Sequence, residues 1–267
     1  MPAVAALAHR RVFVPALALL AVSAWLALWA WSASPYALYL NHGDLTAAGP
    51  LAEICRRIPG GGVIVPAALY GAAWVLMCTA MMLPTTAPLF DLFDRLSAGR
   101  PDRAQLFALL ALGYAAVWAA FGVVAHAAHA ALLAAVSSVP ELAWRGWPAG
   151  AAVIALAGAF QFSELKYRCL EKCRTPLSFV MQHWRGRAQA AQAFWLGAHH
   201  GVFCVGCCWA LMLLMFAVGS GNLGWMLALA AVMAMEKNLP WGRRLSAPLG
   251  YALLSWAALL VAVNLQA

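Results

Sequence analysis

The chain has 267 residues, 65% of them hydrophobic and 10% charged, with a mean hydropathy of +0.79. A soluble domain carries about 25% charged residues, so composition excludes a water-soluble globular protein and points to a membrane one. The formal net charge of +8 then reads as a topology signal, and without a glycine-rich phosphate loop or basic–aromatic alternation it gives no nucleic-acid partner.

Seven apolar runs are long enough to cross a hydrocarbon core about 30 Å thick. They cover roughly 12–32, 63–83, 105–127, 149–165, 193–218, 222–239 and 247–265. With the N-terminus in the cytoplasm, the inner segments hold Arg10 and Arg11; Arg95, Arg100 and Arg103; Lys166, Arg168, Lys172, Arg174, Arg185 and Arg187; and Lys237, Arg243 and Arg244. Only Arg56, Arg57 and Arg145 of the 17 basic residues remain outside, as the positive-inside rule requires. The expected fold is an all-α polytopic bundle of about seven transmembrane helices, one integral membrane domain over 1–267. Its N-terminus is cytoplasmic and its C-terminus periplasmic, in the inner membrane of a bacterium, with the lipid bilayer as its constant partner.

In chain order, Arg10-Arg11 followed by Val12 to Trp31 is too long for a signal-peptide core and reads as an uncleaved first helix. The outer loop 33–61 carries Asn41-His42-Gly43-Asp44 and a lone Cys55. The second run ends in Met77-Cys78-Thr79-Ala80-Met81-Met82-Leu83-Pro84, where Met77, Cys78, Met81 and Met82 form a sulfur-bearing face at helical spacing. Pro84 and Pro88 are expected to end that helix. In the third run Tyr114, Trp118 and Phe121 form a packing stripe, followed by His126 and His129 on one face. Those two histidines suit a metal or haem near the outer surface, or ordinary hydrogen bonding at the headgroups.

The fourth run continues into Glu164-Leu165-Lys166-Tyr167-Arg168-Cys169-Leu170-Glu171-Lys172-Cys173-Arg174. Continued as a helix below the membrane, it places Leu165, Cys169 and Cys173 on one face and Lys166 off it. Pro176 opens a further segment with Leu177, Val180, Met181 and Trp184 on its apolar side, the pattern of an interfacial helix on the inner leaflet. The fifth run holds His199-His200-Gly201-Val202-Phe203-Cys204-Val205-Gly206-Cys207-Cys208-Trp209. At about 100° per residue, His200, Cys204, Cys207 and Cys208 fall in one stripe. Thiolate and imidazole bind soft and borderline metals; otherwise free cysteine is a small hydrophobe that packs helices. Gly219-Ser220-Gly221-Asn222 leaves room for a tight hairpin, the sixth run ends at Glu236-Lys237, and the seventh has no ionisable residue.

Rise per residue places His200, Glu164, Glu236 and Met81 in the inner leaflet, Cys204 deeper and Cys207 and Cys208 near the centre, with Cys169 and Cys173 lower. Ionisable groups at such depth face the bundle interior and are functional by default. The candidate metal ligands are therefore His200, Cys204, Cys207, Cys208, Cys169, Cys173, Met77, Cys78, Met81, Met82, Glu236 and Glu164.

The chain resembles membrane proteins grouped as domain of unknown function 2182 and described as predicted metal-binding integral membrane proteins. The resemblance rests on Ala80 to Pro84, Tyr114 with Trp118, Leu165-Lys166, Cys169-Leu170 and Cys173-Arg174. It continues through Pro176, His183-Trp184, Gly197, His200-Gly201, Cys204, Gly206 to Trp209 and Glu236-Lys237, covering roughly 65–240. It implies a metal-binding membrane protein and names neither metal nor reaction. Because sulfur donors dominate, copper(I) is favoured; zinc, which prefers four Cys or His ligands, is the second choice. The expected role is metal handling, transfer or delivery, with a metallochaperone or a membrane oxidase as partner, rather than catalysis. Two rivals are a membrane dithiol oxidoreductase using Cys204/Cys207 or Cys169/Cys173, and a non-catalytic subunit whose basic face recruits a partner.

Overall fold

The computed structural model describes residues 2–34, 61–137, 147–184, 188–218 and 222–266. The loop with His42, Asp44 and Cys55, the arginines Arg145, Arg185 and Arg187, the turn 219–221 and the His129 side chain lie outside the described residues.

Among the described residues all regular structure is helical: α1 (Pro2–Ser32), α2 (Gly61–Leu96), α3 (Arg103–Ser137), α4 (Trp147–Phe160), α5 (Glu164–Arg174), α6 (Pro176–His183), α7 (Gln189–Val218), α8 (Leu223–Asn238), a 3₁₀ turn (Gly242–Leu245) and α9 (Ser246–Gln266). The all-α expectation holds. Five helical segments are long and apolar enough to cross a membrane, or six if the bent pair α4–α5 counts as one span. The sixth apolar run yields only the 16 residues of α8, about 24 Å at 1.5 Å per residue, less than the hydrocarbon thickness.

α3 and α7 form the closest pair in the bundle, with α9 on α4, α1 on α2, and α5 wedged against α7 and α8. Glycine makes the α3–α7 approach possible. A Cβ on Gly197 would stand 1.9 Å from the Leu110 carbonyl oxygen, and one on Gly113 2.0 Å from that of Phe194. Small residues at such crossings let backbones touch where lipid supplies no hydrophobic drive between helices.

α2 does not stop at Pro84. It runs through both prolines to Leu96, because the carbonyl left without a partner finds another donor. Pro84 has no N–H for the Ala80 oxygen, and the Trp25 indole N–H of α1 donates to that oxygen at 3.1 Å. The Thr85 and Thr86 hydroxyls add bonds to Met82 and Leu83 carbonyls.

The fourth run breaks. α4 ends at Phe160, the chain bends by 64°, and the Ser163 hydroxyl accepts from Lys166 N at 3.1 Å to cap α5, satisfying a donor that starts every helix unpaired. α5 therefore packs against α7 and α8, with Lys166, Cys169 and Leu170 buried. α6 follows as a separate short helix, as expected, yet Phe179 and Val180 supply its buried side while Leu177 and Met181 stay exposed. Arg103 pairs with Asp94 at 2.6 Å, Arg100 bonds Asp102 and Gln189, and Arg174 donates to the carbonyls of Glu236 and Pro240. These bonds tie the turn between α2 and α3 to the start of α7, and the end of α5 to the end of α8.

Candidate metal centre

α7 carries four expected donors along one buried stripe: His200, Cys204, Cys207 and Cys208, each no more than 2% exposed. The thiols of Cys207 and Cys208 fold back along the helix and donate to the Cys204 carbonyl at 3.1 and 2.9 Å, the i−3/i−4 reach that helix geometry permits.

The bend before α5 brings its cysteines to the same level. Cys173 lies close enough to Cys204 and Cys207 to interact with both thiols. Cys169 Sγ sits where a Cβ on Gly206 would be 2.6 Å away, so that glycine is the notch that admits it. The expectation that Cys169 and Cys173 lie lower is thus corrected. So is the placement of Lys166, which is fully buried while Leu165 is exposed. From α2 comes Met82, its sulfur 4.0 Å from Cys208 Sγ, with Cys78 electrostatically coupled to Cys204. Met77 and Met81 are buried on the same helix.

Lys237 was missed as a member of this group. Its ammonium donates to Cys204 Sγ at 2.9 Å and to Thr85 Oγ1 at 3.3 Å, and lies 3.8 Å from Met82 Sδ. Tyr114 places its hydroxyl 3.2 Å from Cys204 Sγ. The signal was available: a lysine at this depth needs a buried partner, and sulfur side chains of α7 and α2 lie within its reach. Lys237 closes α8, where a cation complements the helix C-terminus. Because α8 is short, its last turn ends among the sulfurs instead of in solvent.

Two proposed ligands are not in the group. Glu236 turns away from Lys237, accepting from Lys166 Nζ at 2.7 and 2.9 Å and from the Ser246 hydroxyl at 2.6 Å. Lys166 also donates to Gln161. With its oxygens committed, Glu236 is a structural anchor. Glu164 is exposed and paired with Arg168 one turn on, because the α4–α5 bend takes it out of the bundle. His126, on α3, stacks on Tyr70 with ring centroids 4.3 Å apart, far in sequence from any sulfur.

The His200 Nδ1 is buried with no hydrogen-bond partner, and an unmet buried group of this kind costs about 1–3 kcal/mol. Among the described residues no three His, Cys, Asp or Glu side chains surround a common point in metal-holding geometry; Lys237 stands among the sulfurs. The donor set, soft sulfur with one open imidazole nitrogen, fits an ion that takes two or three soft ligands better than one needing four.

A family model described as PpoB2, copper chaperone, matches residues 71–260, well over half of the chain. The chain belongs to that copper-chaperone family. The matched span contains every member of the sulfur group from Cys78 to Lys237 and leaves out α1. Copper handling is accordingly the function shared across it, while the label of domain of unknown function 2182 remains a resemblance on the motifs quoted above. No curated protein and no solved structure gives a match.

Proposed function

We propose that this copper chaperone holds its cargo as Cu(I) among the buried sulfurs between α2, α5, α7 and α8 (the sulfur chamber), inside a bacterial inner membrane, and delivers it to a membrane oxidase or another cuproprotein. The observation that carries this reading is the convergence of Cys173, Cys204, Cys207 and Cys208 from two helices, with Met82 from a third, around the ammonium of Lys237. Thiolate and thioether together select Cu(I) over harder ions. Two thiolates on one Cu(I) leave a net negative charge, and Lys237 offsets it in a site that water cannot screen. His200, one turn before Cys204 and with an open Nδ1, supplies a further donor.

Each cysteine described is free. A dithiol oxidoreductase would need Cys204 and Cys207 to reach each other's sulfur, whereas the Cys207 thiol is turned to the Cys204 backbone. Cargo binding without catalysis is the reading the geometry favours. The test is copper content of protein purified without oxygen and loaded from a Cu(I)–bicinchoninate complex. Wild type takes up about one Cu(I) per chain, with sulfur neighbours in X-ray absorption; a variant with Cys204, Cys207 and Cys208 all changed to Ser loses that sulfur signal. An unchanged sulfur signal in the variant refutes the chamber as the binding site.

A further inference from the structure

The copper chamber does not use a second pair of donors at its side. His183 closes α6 and His199 lies on α7, next to the buried His200 but facing outward. Their ring centroids are 5.2 Å apart with planes at 41°. Two imidazoles that bind one ion at about 2.0–2.1 Å through nitrogen hold their centroids about 5–6 Å apart. The pair is already at that spacing.

The tautomer is set as well. His183 Nδ1 lies 2.8 Å from the Phe179 carbonyl oxygen. A carbonyl can only accept, so Nδ1 is the donor of this bond, and Nε2 is the nitrogen left to bind an ion when the ring is neutral. This is the second-shell arrangement that metal-bound histidines show, one ring nitrogen donating to a carbonyl while the other ligates. His199 is exposed, and among the described residues neither of its ring nitrogens has a hydrogen bond. Its ring also lies 6.0 Å from that of Trp195.

Phe179 joins this pair to the chamber. Its ring is 4.5 Å from that of His183 and 5.5 Å from that of His200, and it is almost fully buried. From the histidine pair, one aromatic ring leads to the open imidazole of His200 and, one turn on, to Cys204.

We infer that His183 and His199 form a second copper site, a receiving and handing-off station at which two imidazole nitrogens hold the ion outside the sulfur chamber. The inference rests on the chamber reading for its destination but not for its ligands. In the transfer, copper–nitrogen bonds break and copper–sulfur bonds form while copper stays in the +1 state. The proton that leaves a chamber thiol goes to an imidazole nitrogen the ion has vacated. Phe179 separates the two positions, so that the chamber is reached through the pair.

The test uses full-length protein and Cu(I)–bicinchoninate. In the Cys204→Ser/Cys207→Ser/Cys208→Ser variant, copper is expected to remain with nitrogen neighbours in X-ray absorption, and adding His183→Ala and His199→Ala should remove it. In protein with all its cysteines, His199→Ala, an exposed change that spares the fold, should slow filling of the chamber about tenfold while leaving its final sulfur-bound copper unchanged. A cysteine variant with no nitrogen-bound copper, or a His199→Ala protein that fills at the wild-type rate, overturns the station. Absence of sulfur neighbours in loaded wild type would instead overturn the chamber, and the nitrogen signal reports on the histidine pair independently of that result.

Discussion

At the scale of single residues, two buried lysines set the terms. Lys166 is sealed in with Glu236, and breaking a buried pair by removing one partner costs about 3–5 kcal/mol. Glu236→Gln is expected to lower thermal stability in detergent by that amount, and the double change Lys166→Met/Glu236→Met to recover most of it, since apolar residues of similar volume replace buried ion pairs at little cost. A double variant no more stable than Glu236→Gln would mean that the pair holds α5 on α8 through its geometry and not only its charge. Lys237 differs because its partner is sulfur, 2.9 Å away. Lys237→Met should leave the fold intact and weaken Cu(I) retention about 10–100-fold, the range that outer-shell changes produce, measured by competition with bicinchoninate. Glu236 and Lys237 are adjacent, about 100° apart on α8, so one faces α5 and the other the cysteines.

Among elements, the proline-containing helix α2 and the bent pair α4–α5 carry the design. α2 keeps its path through Pro84 because α1 lends an indole N–H to the Ala80 carbonyl. Trp25→Phe should therefore cost about 1 kcal/mol, the usual net worth of one hydrogen bond. The same change in a Pro84→Ala background should cost close to nothing, because the substituted residue would supply the missing N–H; equal costs in both backgrounds would disconnect Trp25 from the proline. For α5, Gly206 is the position that decides. Gly206→Val puts a carbon 2.6 Å from Cys169 Sγ, so α5 must lift from α7 and carry Cys173 off Cys204. The expected result is a folded protein that loses most of its Cu(I) affinity; wild-type affinity would show that α5 contributes no donor. Gly197→Leu is the contrasting change, since a side chain there meets backbone at 1.9 Å, and it should abolish the monodisperse folded species altogether.

For the whole molecule, Arg100 is tied to Gln189 at the start of α7 and Arg174 to the Glu236 carbonyl at the end of α8, and the positive-inside rule makes the turn between α2 and α3 a cytoplasmic one to be tested. Cys169 is buried and Cys173 half-buried, so native thiols on α5 report poorly on sidedness. A thiol introduced by Ala98→Cys, in the exposed turn between α2 and α3, should react with an impermeant maleimide only after spheroplasts are opened, whereas Cys55 should react from outside. Reaction of the introduced thiol in intact spheroplasts reverses the orientation.

The sequence alone determined the class of protein, the helical fold and the stripe on α7. Each of these follows from local chemistry: twenty-odd apolar residues are long enough to cross a bilayer, a backbone in hydrocarbon must close its own hydrogen bonds, and residues three or four apart share a helix face. It also marked Cys173, Cys78 and the methionines as sulfur donors, since residue type is visible wherever the chain goes. What it left open was which of them meet. Whether Pro84 ends α2 depends on Trp25, on another helix, and whether Cys173 lies below the membrane or beside Cys204 depends on a 64° bend capped by Ser163. Glu236 and Glu164 read as ligands because depth was judged one helix at a time; Lys166 and Arg168 claimed them once the helices packed. Lys237 joined the sulfur group because α8 is short and delivers its last turn to the sulfurs. Those decisions belong to tertiary structure, because most are settled by a partner distant in sequence that satisfies a buried charge or a freed carbonyl.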